Sequence, residues 1–303
     1  MDQLRAMVVF AAVADAGGFA AAGRVLGLSA PSVTRTVSDL ETKLGARLFH
    51  RTTRSVKLSD IGVRYLQDCR RILIDVEEAE RQAKGLHGEP NGWVSLTGSV
   101  LFGRLVLTPL VFDLMDAFPQ LSISTLFVDR VVHMQDEGID VAVRIAHLPD
   151  SSLTAIKVGT VRRVLCASSA YLEARSVPKS PDDLVDHDCI AFLPMMVGEA
   201  WPFEVEGRAV HRRIETRCRV NRGDTAIAAA VGGRGITRVL SYMIADQVQS
   251  GALRIVLPEF EVAPVPVHVV HKEARHTTAR VRAAVDHLVS GLRSLPALDH
   301  NSG

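Results

Sequence analysis

The sequence has few cysteines, and they lie far apart. Cys69, Cys166, Cys189 and Cys218 are the four cysteines in 303 residues, and none belongs to a Cys-x-x-Cys pair. This spacing favours buried free thiols in a reducing compartment, although a redox-sensing pair of thiols remains an alternative.

Catalytic motifs are also missing. The sequence contains no Gly-x-Ser-x-Gly elbow, no His-Glu-x-x-His pair, no P-loop and no dinucleotide fingerprint. The stretch VGGRGI (231–236) fits none of these spacings and indicates a helix-to-strand turn, and HKEARH (271–276) has no plausible cysteine partners for a metal. The sequence therefore predicts no enzyme, no metal and no cofactor, and it leaves a pure small-molecule binding protein as a rival class.

The chain has no apolar run long enough for a membrane span. Its first residues, MDQLRAMVVFAAVADAGGF, are apolar, but Asp2, Arg5 and Asp15 interrupt them at helical spacing. This pattern predicts a helix over 3–15 instead of a signal peptide, and therefore a cytoplasmic protein. Internal repeats and low-complexity tracts are absent, and disorder is expected only from about Leu298.

The chain as a whole has almost no excess of positive or negative charge, but its first segment is basic. Overall, 35 Lys and Arg residues balance 34 Asp and Glu residues, so the net charge is +1. Residues 1–59 carry eight basic and four acidic side chains, a local net charge of +4. The basic residues crowd into ARLFHRTTRSVK, which suggests one anion-binding module attached to something else.

A short helix, a turn and a second helix follow the first helix. Residues 19–26 form the short helix, Gly27 suits the turn, and Ser29 is a good N-cap before Pro31. The second helix has an apolar side: Val33, Val37, Leu40 and Leu44. Its other side carries Ser32, Thr34, Arg35, Thr36 and Ser38. These short polar residues form either a plain exposed face or a surface against which a large polar partner docks closely.

A β-wing and a long helix are predicted next. The stretch RTTRSVKL can form a two-stranded wing, and a helix should run over 60–86. Apolar residues recur along this helix at steps of four and three: Tyr65, Cys69, Ile72, Val76, Ala79, Ala83 and Leu86. This seam favours a partner helix and dimerisation, although packing on the core of its own domain remains the alternative. GLHGEPNG then indicates a hinge.

From Trp93 onward, short β-rich runs alternate with helices, which predicts an α/β fold with mostly parallel sheet. Strands are predicted at VSLTGS, SISTLFV, 139–145, 163–167, 189–192, 214–220, 235–239, 253–257 and 265–271. Helices are predicted near 103–117, 131–137, 224–232, 242–250 and 277–293.

The segment FAAAGRVLGLSAPSVTRTVSDLETKLGARLFHRTTRSVKLSDIG (19–62) is a dense, ordered match, and it resembles the LysR-type transcriptional regulators. LFGRLVLTPLVFDLMDAFPQLSIS and VGGRGITRVLSYMIADQVQSGAL resemble the effector domain of that family, and more closely its subgroup typified by the meningococcal regulator CrgA. The resemblance implies three parts. They are a winged helix-turn-helix (1–59), a linker dimerisation helix with a hinge (60–91), and a two-lobed α/β effector domain like periplasmic binding proteins (92–297). Lobe one would combine 92–161 with 266–296, and lobe two would span 162–265.

The resemblance also implies a sequence-specific DNA-binding regulator. Its recognition helix would place Ala30, Pro31, Ser32, Thr34 and Arg35 nearest the bases in the major groove. Arg51, Arg54 and Lys57 of the wing would contact the DNA backbone or the minor groove. Arg35 could instead form a surface ion pair, and Arg51 could brace the wing. Ala30 departs from the family, which usually has Gln there, so a side-chain hydrogen bond is lost.

For the effector, the resemblance implies a site between the two lobes, near strand ends and helix starts. The residues that this implies are Ser99, Val100, Leu101, Phe102, Asp129, Arg144, Ser168, Trp201, Asn221 and Asp224. Structural alternatives stay open, since Asn221 or Asp224 could cap a helix and Arg144 could pair with Asp140. The expected partners are double-stranded promoter DNA, a small-molecule effector, further copies of the chain as a dimer, tetramer or larger ring, and RNA polymerase. No membrane partner is expected.

Overall fold

The computed structural model describes residues 2–51, 56–83, 89–272, 278–296 and 298. The chain divides into two compact units, Met1–Trp93 and Val94–Gly303. Each unit has its own hydrophobic core, and each is described by itself.

The N-terminal unit is a three-helix core with a small wing and a long last helix. Its elements are α1 (Gln3–Ala16), α2 (Phe19–Leu26), α3 (Ala30–Leu44), β1 (Phe49–Arg51), β2 (Val56–Leu58) and α4 (Asp60–Ala83). Local chemistry fixes the ends of its helices. Asp2 caps α1 by accepting a hydrogen bond from the Leu4 amide at 3.1 Å, and Gly17 ends it with a φ of 67°.

The core of this unit gathers apolar residues from every helix. Val33, Val37 and Leu40 of α3 are fully buried, as predicted for the apolar side of this helix, and Phe10 and Phe49 pack with ring centroids 5.2 Å apart. Leu44 does not join them. It is 39% exposed because α3 ends there and Gly45 turns the chain with a φ of 63°.

The seam of α4 divides between two environments. Cys69 is fully buried, and Tyr65 and Ile72 pack against the same core, with the Tyr65 ring 5.4 Å from that of Phe10. This placement favours the core-packing alternative for the first turns of the helix. Val76 is half-buried. The side chains of Ala79 and Ala83 and the whole of Leu86 lie outside the described residues, so the dimer seam there stays a prediction.

The C-terminal unit is built on two five-stranded sheets. Lobe one has the strand order β4-β3-β5-β14-β6, and lobe two has the order β11-β8-β12-β7-β13. The strands of lobe one are β3 (Gly92–Gly98), β4 (Leu121–Phe127), β5 (Val141–Ile145), β6 (Thr154–Val161) and β14 (Val265–His271). Those of lobe two are β7 (Arg163–Ala167), β8 (Cys189–Phe192), β11 (Thr216–Val220), β12 (Ile236–Leu240) and β13 (Arg254–Val256). A hairpin, β9 (Ala200–Val205) with β10 (Arg208–Arg213), packs on lobe two.

The expectation of mostly parallel sheet is wrong, because both sheets are mixed. β3 pairs parallel with β5, and β8 pairs parallel with β11 and β12. β14 runs antiparallel to β5 and β6, and β7 runs antiparallel to β12 and β13. The antiparallel strands are those at which the chain crosses from one lobe to the other. β6 of lobe one passes directly into β7 of lobe two through Arg162 alone.

Helices cover these sheets. They are α5 (Val100–Phe102), α6 (Thr108–Ala117), α7 (Ser169–Arg175), α8 (Gly223–Val231), α9 (Ala245–Gln249) and α10 (Ala279–Arg293). A π-helical turn, Gly103–Leu107, joins α5 to α6, so the helix predicted from 103 begins at Val100. Within the described residues, no helix is long and apolar enough to cross a membrane.

The helix predicted over 131–137 does not form. Residues 131–133 have no regular structure, and 134–138 form turns. Arg130 holds Glu137 with both guanidinium Nη atoms, at 2.8 and 2.5 Å, and the Glu137 carboxylate also accepts a hydrogen bond from the His133 amide at 3.1 Å. These side-chain contacts fix a loop where the apolar pattern suggested a helix.

Candidate functional site

The outward face of α3 carries the predicted recognition residues. Pro31, Ser32 and Arg35 are exposed, and Ala30 and Thr34 are half-buried along one flank. Because Val33, Val37 and Leu40 hold the opposite face in the core, these residues project away from the unit. Arg35 makes no hydrogen bond or ion pair with any residue that the structure describes, so the predicted alternative of a surface ion pair finds no support there.

Hydrogen bonds hold the start of α3 in place. Ser29 caps the helix by accepting a hydrogen bond from the Ser32 amide at 3.3 Å. Thr34 donates its hydroxyl to the Ala30 carbonyl at 2.9 Å, and Thr36 does the same to Ser32 at 3.0 Å. The Thr34 hydroxyl is therefore left with acceptor capacity for a partner, while its donor is used inside the helix.

The wing joins α3 through a set of short contacts. Glu41 accepts hydrogen bonds from the Leu48 and Phe49 amides at 2.8 and 3.2 Å, which ties the end of α3 to β1. Ser59 then bonds the Arg47 carbonyl at 2.6 Å. At Gly62 the backbone of α4 approaches so closely that an added Cβ would lie 2.0 Å from the Leu48 oxygen, so only glycine fits.

The basic residues of the wing are only partly described. Lys57 lies on β2 opposite His50 of β1, and it is exposed. The backbone of Arg51 belongs to β1, but its side chain and the whole of Arg54 lie outside the described residues. Asp39, an exposed acidic residue one turn after Arg35, was not identified from the sequence pattern.

In the C-terminal unit, Ser99 follows β3 and precedes the helix that starts at Val100. The Val100 amide donates to Asp129 Oδ1 at 2.9 Å, so a carboxylate of the chain itself occupies the start of this helix. A negative charge at that position is favourable, because the first amides of a helix have no partners within the helix.

Tyr242 of lobe two packs against the helix that follows Ser99 in lobe one. Its ring packs edge-on against Phe102, with centroids 5.0 Å apart and planes at 86°. Burial raises the pKa of the Tyr242 phenol, with a smaller raising effect from Asp129 and a lowering effect from the nearby Ser99 hydroxyl. The Ser99 and Tyr242 hydroxyl oxygens are both enclosed, and neither makes a hydrogen bond of good geometry with the described residues.

Charged residues at the start of α8 complete the arrangement. Arg222 binds Asp224 through two bonds, at 3.1 and 2.7 Å. The pKa of Arg222 is raised chiefly by this hydrogen bond, and Asp129 of lobe one adds to the effect. The pKa of the Asp224 carboxyl is held below its ordinary value, first of all by Arg222. Ser99 and Asp129 of lobe one therefore lie near Tyr242 and Arg222 of lobe two.

Other predicted effector residues lie elsewhere or serve packing. Leu101 and Phe102 are buried in the core that spans both lobes, and Trp201 is fully buried in a separate core of lobe two. Ser168 caps α7 by accepting from the Tyr171 amide at 3.3 Å. These four residues have structural explanations that the sequence pattern did not give.

The remaining two predicted residues differ in their surroundings. Arg144 donates to the Val132 carbonyl at 3.0 Å, which braces the loop of 131–140. Asn221 is exposed just before α8. The cap residue of α8 is Arg222, so neither Asn221 nor Asp224 takes the N-cap position that was the alternative for them.

Two residues near this group, Tyr242 and Arg222, were not predicted from the sequence. Tyr242 could have been found as a polar residue just after a buried strand, as Ser99 is.

The comparisons with known proteins agree with both units. The family model described as bacterial regulatory helix-turn-helix protein, lysR family, matches residues 4–63, and the one described as LysR substrate binding domain matches residues 87–293. The chain belongs to the LysR family. It is 30% identical over 288 residues to the transcriptional activator AaeR of Escherichia coli, covering 95% of this chain and 93% of AaeR.

Two further relatives extend this result. A transcriptional repressor of Pseudomonas aeruginosa is 31% identical over 288 residues, covering 94% of this chain and 91% of the repressor. The solved structure of CrgA, a LysR-type regulator from Neisseria meningitidis, superposes with a TM-score of 0.62 at 26% identity, over 95% of this chain and 98% of CrgA. Regulators of this family bind promoter DNA, sense small-molecule effectors and oligomerise. The chain is accordingly a DNA-binding transcriptional regulator and not an enzyme.

Proposed function

We propose that this regulator reads its operator through the exposed start of α3. The observation that carries the proposal is an arginine without a partner among the described residues, on a helix face otherwise made of small polar side chains. Such a face allows close approach to base edges, and an unpaired guanidinium can bind guanine through two hydrogen bonds. Pro31 and Ala30 can touch a thymine methyl, whereas Ser32 and the helix start suit a phosphate.

The wing supplies contacts that do not depend on sequence. Lys57 is exposed on β2, and Arg51 and Arg54 belong to the same basic stretch, so we assign all three to the DNA backbone or the minor groove. The local net charge of +4 over residues 1–59 supports this assignment, because it attracts the phosphate backbone while the chain as a whole stays nearly neutral.

For the effector, we propose the junction of the two lobes. Ser99 and Asp129 from lobe one and Tyr242 and Arg222 from lobe two offer two hydroxyls, a carboxylate and a guanidinium near one another. Since Asp129 already occupies the Val100 amide, an effector gains most by offering hydrogen-bond donors to Asp129 and acceptors to the hydroxyls. Binding would change how the lobes meet, and through the linker helix it would alter the spacing or bending of bound DNA.

Self-association is proposed through α4 and the surface beside it. Val8, Ala11 and Ala12 of α1, with Val25 and Leu73, line an apolar surface groove in the N-terminal unit. Val25 is 75% exposed, so this groove is incompletely covered within one chain. A second copy pairing along α4 would cover it and would present two recognition helices to a two-fold site.

The remaining expectations follow from the resemblance to the family. Membership of the CrgA-like subgroup, tetramers or larger rings, a contact with RNA polymerase and a cytoplasmic location are proposals that fit a regulator of this family.

The experiment that tests the proposed DNA reading is the salt dependence of binding. Full-length protein should bind DNA from upstream of its own gene, with an affinity that falls steeply as salt rises, as expected when several phosphate contacts release counterions. A chain lacking residues 1–90 should lose this binding. Salt-independent binding, or binding that survives the truncation, would point instead to a small-molecule binding protein.

A further inference from the structure

A buried arginine in lobe two has no role in the sites described so far. Arg238 lies on β12, the middle strand of the lobe-two sheet, and it is only 1% exposed. Its Nε and Nη1 atoms are enclosed without a hydrogen-bond partner among the described residues. A guanidinium in such a position is costly to bury unless something binds it.

This arginine faces away from the junction of the lobes. Its neighbour Val239 belongs to the core that spans both lobes, and successive side chains of a strand point to opposite faces. Arg238 pairs across the sheet with Leu165, which belongs to the separate core under the β9–β10 hairpin. Arg238 therefore lies on the opposite face of the sheet from the site that contains Ser99 and Tyr242.

A second unpartnered donor lies in the same layer. Trp201 of β9 is fully buried, and its indole Nε1 has no hydrogen-bond partner among the described residues. Phe203, two residues along the same strand, lies with its ring centroid 5.9 Å from the Arg238 guanidinium carbon. The hairpin thus brings an indole N–H and an aromatic face to the side of the sheet on which the buried charge sits.

The surrounding charges are predominantly positive. Burial, with a smaller effect from nearby Arg163, lowers the pKa of Arg238 to about 10 against the opposing effect of Glu261, so the guanidinium is charged at neutral pH. The Glu261 carboxylate is shared with Arg162, at 3.5 Å. Glu261 therefore acts on both Arg162 and Arg238, and Arg163 adds a further positive charge near Arg238.

We propose that the enclosure formed by Arg238, Trp201 and Phe203 binds a small anion, as a second ligand site on the outer face of the lobe-two sheet. The guanidinium Nε and Nη1 and the indole Nε1 are donors that a halide, a small oxyanion or a short carboxylate satisfies. The aromatic ring closes one side of the site, and the lack of exposure limits the ligand to a few heavy atoms.

The test uses thermal unfolding of the full-length chain in sodium salts at constant ionic strength, with gluconate as a counter-anion too large to enter. Bromide and phosphate represent inorganic anions, and formate and acetate represent carboxylates. Wild-type protein should show a saturable rise in melting temperature with at least one of the four. Arg238→Met should abolish the rise. Trp201→Phe removes the indole N–H and should raise the half-saturating anion concentration about tenfold.

Arg208→Met is the matched control, because Arg208 is an exposed arginine on the same hairpin. It should respond to anions as the wild type does. Should Arg238→Met fail to fold, Trp201→Phe decides the matter. No saturable anion effect in the wild type, or an effect of equal strength in Trp201→Phe, would overturn the proposal and leave buried water as the partner of these donors. In bromide-soaked crystals, an anomalous peak beside Arg238 should identify the position, and a peak only at the surface would contradict it.

Discussion

In the N-terminal unit, the polar groups proposed to meet a partner stand on the outside of one helix, α3. In the C-terminal unit, they come from strand ends and helix starts of two lobes, which are far apart in the sequence. Arg35 needs only the apolar stripe of its own helix to be positioned, whereas Ser99 and Tyr242 need two sheets to be assembled. A recognition surface built on one element can be identified from a short motif, but a site built from many elements cannot.

The largest expected effect should separate the two units. Gly62→Ala would place a Cβ 2.0 Å from the Leu48 oxygen, so backbone must shift where α4 meets the wing. We expect the N-terminal unit to lose about 3 kcal/mol of stability and the protein to lose DNA binding. Thermal unfolding and DNA titration measure both effects.

Gly18→Ala is the control for that substitution, because a Cβ there meets nothing within 4 Å and its φ is extended. It should cost less than about 1 kcal/mol. Full DNA affinity in Gly62→Ala would show that the close contact at Leu48 is not needed to hold the wing.

Arg35→Ala should have the next largest effect, and it should change sequence-specific DNA binding without changing the fold. Loss of a bidentate contact to guanine costs about 1–3 kcal/mol and relaxes the preference at one base position. Competition binding with operators changed at single positions measures this. An unchanged footprint and unchanged affinity would refute the role of Arg35 and, with it, the orientation proposed for α3.

Tyr242→Phe should act on the C-terminal unit alone. The change removes one hydroxyl and keeps the ring against Phe102, so the fold should persist. Effector affinity should fall by about 1 kcal/mol, roughly fivefold, while DNA affinity without effector stays as in the wild type. Titration of effector into both proteins provides the comparison, and equal affinities would remove Tyr242 from the site.

Lys57→Ala should weaken binding to all DNA sequences by a few-fold and reduce the salt slope by about one, because one phosphate contact is lost. Measurement of affinity at several salt concentrations, on operator and on unrelated DNA, checks both. A loss confined to the operator would mean that Lys57 reads sequence, which would make the wing resemble α3 in function.

The smallest effect concerns the thiols. Burial raises the pKa of Cys69 to about 11 and those of Cys166 and Cys189 to about 12, so these thiols stay protonated and unreactive at neutral pH. Cys218 on β11 is exposed. Alkylation of the native protein should therefore label Cys218 alone, as mass spectrometry would show, and fast labelling of a second cysteine would revive the redox-sensing alternative.

The same contrast explains what the sequence could predict. α2 and α3 were predicted almost to the residue, because Gly27, Ser29 and Pro31 mark their ends by local chemistry. The long α4 was also predicted, but the seam was assigned to a partner, whereas Cys69 is buried in its own core. Heptad spacing shows that a helix has an apolar face, and it does not show which surface covers that face.

The C-terminal unit was harder to predict for physical reasons. Its strand pattern gave the layered class, but the direction of β14 depends on the return of the chain from lobe two. Trp201 was expected at the effector site and lies in another core, since its place depends on a hairpin that the pattern did not reveal. Arg222 and Tyr242 are brought near Asp129 only by the assembled lobes.

The most direct test of the central claim is a footprint on the DNA upstream of the gene that encodes this protein, with and without a panel of small metabolites. We expect protection of a site with two-fold symmetry, and a change in its extent or in its hypersensitive positions with at least one metabolite. Protection that is absent, or that no metabolite alters, would contradict a ligand-responsive regulator that reads DNA through α3.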